Sequence, residues 1–281
     1  AAAIYLSVRD DVDEGDSRVH EALGRLFAAT EQWAPLVDIL IDHAERAPDE
    51  AQRVSLLLKA ADVYEGMLDA GEQAIALYEE VLEIDAGHQE VLLRLDRLYE
   101  ASGRSADLLE VLAREIGAAT TDAERLRLQF RRGSVLAKEM EDAVSALEAF
   151  RTVLEMDSNH LGAREALCAL ADSPEVRTEV IEVLRPLFEA DGEWAQLVEL
   201  LQLDADDVTD VEEAVGRLSE LAELKEQRLG DADGAFELVC QAYRYSEGDE
   251  VVGLELERLA LALEKYDDLA DLWAHVASIG G

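Results

Sequence analysis

Val81–Gln89 reads VLEIDAGHQ and Val153–Leu161 reads VLEMDSNHL, so Val, Leu, Glu, Asp and His recur in the same places at an offset of 72. Sliding the sequence against itself by that offset extends the match without a gap from Ala51 through Leu98. Arg53 meets Arg125, Leu56 meets Leu128, Val63 meets Val135, Ala74 meets Ala146, Tyr78 meets Phe150 and Leu95 meets Leu167. The matches fall on apolar and turn positions while the residues between them vary, which is how a packing template behaves. Upstream, ALGRLFAATEQWAPLVDIL (Ala22–Leu40) aligns with RLDRLYEASGRSADLLEVL (Arg94–Leu112) at the same offset. A third copy follows. GEWAQLVELL (Gly192–Leu201) resembles EQWAPLVDIL (Glu31–Leu40), and KYDDLADLWAH (Lys265–His275) sets Tyr266 at the same offset from Trp194. Between the second and third copies the interval grows to 89, which leaves 17 extra residues within Ala171–Trp194.

Each unit divides into four amphipathic stretches, in the first unit roughly Ser17–Ala29, Gln32–His43, Pro48–Met67 and Gly71–Ile84. Leu56, Leu57, Ala60, Ala61 and Tyr64, like Ala74, Ile75, Tyr78, Val81 and Leu82, follow the spacing of one helix face. APDE, LDAGE, DAGHQ and ASGRS supply the stop signals and caps. Connections of about three to five residues force neighbouring helices antiparallel. Helical pairs that cannot hide their apolar faces alone must stack, so the expected fold is all-α, a right-handed α-α superhelix or solenoid of helical hairpins. In the repeated VLEID/VLEMD endings, the Asp caps the turn and the His opens the next helix. The extra segment holds an amphipathic helix that Pro174 opens and Pro186 interrupts. The expected organisation is a first arm over 1–171, an inserted helix over 172–191 with an irregularity around 171–191, and a second arm over 192–281.

Composition narrows the function. Sixty-four acidic residues against 25 basic ones give a formal charge of -39, spread along the whole chain. Such a surface repels phosphate backbones, so nucleic acid is not an expected ligand. Two readings of the charge remain open: a solvating coat, or a surface that attracts basic partners. Only four of the basic residues are Lys, a bias that suits a GC-rich or salt-adapted bacterial source, and the absence of an apolar run of membrane length makes a cytoplasmic location the expectation. AAAIYL at the start is neither a signal n-region nor an anchor. Cys168 and Cys240 form neither a disulfide framework nor a metal site and read as buried thiols.

No constellation for catalysis emerges. None of His20, His43, His88, His160 and His275 has the i, i+4 spacing of a metal helix, and His88 and His160 are repeat positions. Carboxylate pairs such as Glu79 and Glu80 are too common in this chain to mark an acid/base dyad. No Gly is followed by the Lys and Ser or Thr of a phosphate loop. Trp33 and Trp194 are repeat equivalents and read as packing residues, and Trp273 lies outside that equivalence. No enzyme activity, metal or cofactor is expected.

The segment AADVYEGMLDAGEQAIALYEEVLEIDAGH (Ala60–His88) resembles a tetratricopeptide repeat: a large residue at Tyr64, a small one at Ala74, an aromatic at Tyr78 and the VLEID ending. Leu136, Ala146 and Phe150 hold those places in the second unit, and Leu229, Ala235 and Phe236 lie in a related helix in the third. Ala86 and Ser158 replace the family's usual Pro after the second helix. Nearly the whole chain is covered, in degenerate copies grouped as double units of the period found above. The resemblance implies a concave surface that binds proteins or peptides. By the family's pattern, Leu93, Arg97 and Glu100, and with Tyr64 as the reference Leu58, Asp62 and Glu65, project from first helices toward that surface. This acid-leaning set lacks the basic cluster that clamps a C-terminal carboxylate, so the expected partner is a basic or amphipathic protein segment. The expected role is a non-catalytic scaffold for protein association, as a section of a longer array. The alternative is a permanent structural subunit of a large assembly.

Overall fold

The computed structural model describes residues 17–206 and 210–279, so the opening AAAIYL lies outside the described residues. They form fifteen α-helices and no strand. In order these are α1 (Ser17–Ala29), α2 (Trp33–Glu45), α3 (Glu50–Gly66), α4 (Gly71–Ile84), α5 (Gln89–Ser102), α6 (Ser105–Ala118), α7 (Asp122–Lys138), α8 (Ala143–Met156), α9 (Leu161–Leu170), α10 (Arg177–Asp191), α11 (Trp194–Asp206), α12 (Val211–Leu224), α13 (Ala232–Tyr245), α14 (Glu250–Leu263) and α15 (Tyr266–Ile279). A π-helical turn, Lys225–Leu229, prolongs α12. The chain divides into two compact units, 1–128 and 129–281, with the boundary inside α7. In each unit helices adjacent in sequence pack on one another as antiparallel pairs, the tetratricopeptide-like arrangement.

The template is visible in three dimensions. Ala74, Ala146 and Ala235 have no exposed surface, and Tyr78 and Phe150 are buried against the helix that precedes them. Close approach is the reason for the small residues. A Cβ on Gly133 of α7 would lie 2.7 Å from the Phe150 ring, and Ala61, its equivalent in the first copy of the template, is wholly buried in α3. The repeated turn works as its residues suggest, with one shift of register. Asp85 and Asp157 accept hydrogen bonds from the backbone N–H of Gly87 and Asn159, while His88 and His160 stand one place before their helices as N-caps. Their Nδ1 atoms accept from Val91 N at 3.4 Å and Ala163 N at 3.1 Å.

Helix ends repeat too. Left-handed backbone occurs at Glu31, Gly103, Gly192 and Glu264, each in the same place of the template, and again at Asp69, Glu141 and Gly230. Glycine adopts this conformation freely, whereas a side chain strains it.

The longer interval is explained by where the helices start. α3 and α4 begin at 50 and 71, and α7 and α8 follow at the regular offset, at 122 and 143. The next pair of this type, α12 and α13, begins 89 later at 211 and 232, with four helices between α7 and α12 where three separate α3 from α7. One helix has been added. α9 keeps the His-capped start of α5, and α10 keeps its left-handed glycine end. The irregularity is local: α9 has 10 residues where α5 has 14, a turn over 171–176 follows, and Pro186 sits inside α10.

Candidate functional site

The residues singled out on the first helices fall into two groups. Asp62 and Glu65 of α3 are drawn together by Arg94 of α5, whose Nη1 donates to Glu65 Oε2 at 3.1 Å and whose Nη2 lies 3.7 Å from Asp62. The Tyr78 hydroxyl donates to the same Glu65 oxygen at 3.0 Å. Burial, then the hydrogen bond to Glu65, pushes the Tyr78 phenol well above its ordinary value, so it stays a donor. Glu65 is therefore a clamp between helices as much as a surface group, whereas Asp62 keeps more than half its side chain in water. Leu58 lies on α3 and is half-buried.

Leu93, Arg97 and Glu100 share one exposed face of α5. Leu93 is 54% exposed, and Arg97 turns its Nε back to the Leu93 carbonyl at 3.3 Å. Beside Leu93 a small cleft of ≈ 170 Å³ opens toward Glu124 and Arg127 of α7.

The same face recurs in the second unit. Leu254 and Arg258 of α14 hold the template places of Leu93 and Arg97, and Leu254 is 62% exposed. Val251 and Leu261 extend this apolar row along about three turns of α14. Arg258 is fixed between two carboxylates, meeting Glu226 at 2.9 and 2.5 Å and Glu255 at 2.9 and 2.6 Å. The guanidinium holds Glu255 below the usual carboxylate range. Glu226 lies on the π-turn, and Arg228 of the same turn stacks on the Trp194 ring at 4.6 Å. The groove between α12, α13 and α14 has a volume of ≈ 980 Å³ and is lined by Ala222, Val239, Val251 and Leu254 with Glu223 and Glu226 at its edge.

The remaining special residues do not converge. Trp33 packs on the Leu23, Phe27, Leu36 and Ile39 cluster, Trp194 lies under Arg228, and Trp273 is partly exposed on α15. His20 and His43 stack with ring centroids 5.1 Å apart, and His20 Nε2 lies 2.6 Å from Asp42. Cys168 is half-buried and Cys240 buried. Among the described residues no group of three His, Cys, Asp or Glu side chains could hold a metal ion, and no helix is long and apolar enough to cross a membrane. The sequence reading missed Arg94, which ties the candidate acids together, and the α14 face. The latter was open to discovery, because the Leu-x-x-x-Arg spacing of α5 is repeated there.

No family model matches the sequence, and no curated protein matches it. Solved structures similar to it include MamA (16% identity, 62% of this chain and 97% of that one, TM-score 0.36). A tetratricopeptide repeat protein from Parabacteroides merdae is 14% identical over 92% of this chain and 98% of that one, with a TM-score of 0.36. YrrB, described as a TPR protein with an unusual peptide-binding site, is 15% identical over 72% and 91%, with a TM-score of 0.34.

Proposed function

We propose that this protein is a non-catalytic scaffold that binds basic or amphipathic protein segments on the exposed faces of α5 and α14. One observation carries the reading: an exposed leucine set among carboxylates recurs at the same place of the template, at Leu93 and at Leu254. Glu21 and Glu165 hold this place in other copies of the template, so packing does not demand a leucine there and its exposure in two copies needs another reason. Glu90 and Glu100 share α5 with Leu93, and Glu223, Glu226 and Glu255 share a groove with Leu254, while Arg94 and Arg258 are held by carboxylates of the chain itself. The face offers apolar contact and a negative rim, which an arginine- or lysine-bearing segment complements. Arg97 and Glu100 set the register of that contact on α5.

The test is quantitative capture of proteins from the source lysate by the wild-type chain and by the double variant Leu93→Glu/Leu254→Glu, at low and high salt. The scaffold reading expects basic proteins held by the wild type, weakened at least tenfold by the variant and released by salt. Capture that is indifferent to both the variant and salt contradicts it.

A further inference from the structure

The added helix leaves a cleft that neither exposed face shares. It lies between α9, α10 and α11, has a volume of ≈ 730 Å³, and is walled by Leu161, Cys168, Phe188, Leu200 and Leu203. Its origin can be traced along the template. In α5 the positions 92, 96 and 99 hold Leu, Asp and Tyr, and Tyr99 fills the gap to its neighbour. In α9 the same positions hold Arg164, Cys168 and Ala171, and the helix ends at Leu170. α9 is thus a turn shorter than α5, and the cleft opens along its face of Leu161, Arg164, Glu165 and Cys168.

Arg164 does not close the space. It is buried, and its guanidinium meets Asp191 at 2.7 Å, Glu193 at 3.3 Å and the Ser158 carbonyl at 2.9 Å, tying α9 to the end of α10. Glu165, Glu193 and Glu199 stand at the rim. Their effect is felt inside: burial first, and then the charges of Glu199, Glu165 and Glu193, raise the Cys168 thiol above its ordinary value. The interior is thus apolar and at negative potential, and its size lies within the range of about 300–1,000 Å³ usual for ligand clefts.

We infer that this cleft is a second docking site, which takes one or two large apolar side chains of a protein segment whose flanking lysines or arginines pair with Glu165, Glu193 and Glu199. Charge selects the occupant. A second copy of a chain carrying -39 would bring like charge to an acidic rim, whereas a basic segment relieves it. The inference rests on the scaffold reading above, but on different residues.

The probe is a fluorescein-labelled peptide with two leucines four residues apart and two lysines on either side, followed by anisotropy. Binding should weaken at least tenfold in Cys168→Phe, which fills the cleft, and in Glu165→Lys/Glu199→Lys, which reverses its rim. It should be unchanged in Glu83→Lys/Glu110→Lys, which reverses exposed carboxylates of α4 and α6 that line neither site, and lost when serines replace the leucines or glutamates the lysines of the peptide. Far-UV circular dichroism checks folding; if Cys168→Phe does not fold, the exposed rim pair carries the test. The inference is overturned if the peptide does not bind, if the serine peptide binds equally, or if sedimentation shows a dimer that Cys168→Phe dissolves. Loss in Leu93→Glu/Leu254→Glu alone would overturn the cleft and leave the scaffold reading standing.

Discussion

α5 and α9 start alike and finish differently. Both are capped by a histidine whose Nδ1 accepts the N–H three residues on, and both bury a leucine at the matching place, Leu95 and Leu167. α5 then continues through Tyr99, whose hydroxyl donates to Glu79 at 2.6 Å while Arg104 stacks on its ring at 4.8 Å, and closes at the left-handed Gly103. α9 stops a turn earlier, and its neighbour α10 supplies the aromatic, Phe188, and the glycine end, Gly192. The contrast shows how a repeat is varied: the start of the template is copied in α9, its aromatic and glycine end stand on α10, and a cleft opens where the two meet α11.

The comparison breaks most forcefully at the filler itself. Tyr99→Ala should remove about 3–5 kcal/mol, the usual cost of emptying a buried aromatic site. Cys168→Ala, beside a space already open, should cost under about 1 kcal/mol. Urea unfolding of both variants measures the gap, and equal losses would mean that the α9 junction is as tightly packed as that of α5.

The next largest effect is at Arg164, which stands where α5 has the buried Leu92. Arg164→Ala should cost about 2–3 kcal/mol because charged hydrogen bonds to Asp191 and Glu193 are lost. Arg164→Leu, which restores the α5 residue but loses the same bonds, should cost about 1 kcal/mol less than alanine through the packing it regains. If leucine is as damaging as alanine, the two helices do not share a packing template at this point.

The helix ends sharpen the comparison by sign. Glu31→Gly and Glu264→Gly should each stabilise by roughly 0.5–1 kcal/mol by relieving a left-handed side chain, and Gly103→Ala and Gly192→Ala should each destabilise by about 1 kcal/mol. Thermal melts read the difference. The smallest effect is chemical. Cys168 should react with a disulfide reagent more slowly at pH 8 than a free thiol, and Glu199→Gln should speed it, because the carboxylate disfavours the thiolate. An unaltered rate would separate Glu199 from the cleft.

Much of this architecture is legible in the residues. Ala74 with Ala146, Tyr78 with Phe150 and His88 with His160 declare buried contacts and caps, because packing leaves little freedom there. The added helix is likewise visible as a change of interval. Other features are hidden for physical reasons. A left-handed Glu31 or Glu264 carries no glycine to announce it. Among 64 acidic residues, nothing marks Glu65 as the one clamped by Arg94 and Tyr78 from two other helices. The cleft is hidden as well, because Leu161, Cys168, Phe188, Leu200 and Leu203 come from three helices and meet only in the folded chain.

Hydrogen exchange measured by mass spectrometry, with and without the lysine-flanked leucine peptide, tests the contrast most directly. Amides of α9 should exchange at least tenfold faster than those of α5 in the free chain, and the peptide should slow exchange over residues 161–206 while leaving α5 as it was. Equal protection of the two helices, or slowing confined to α5, would contradict the account.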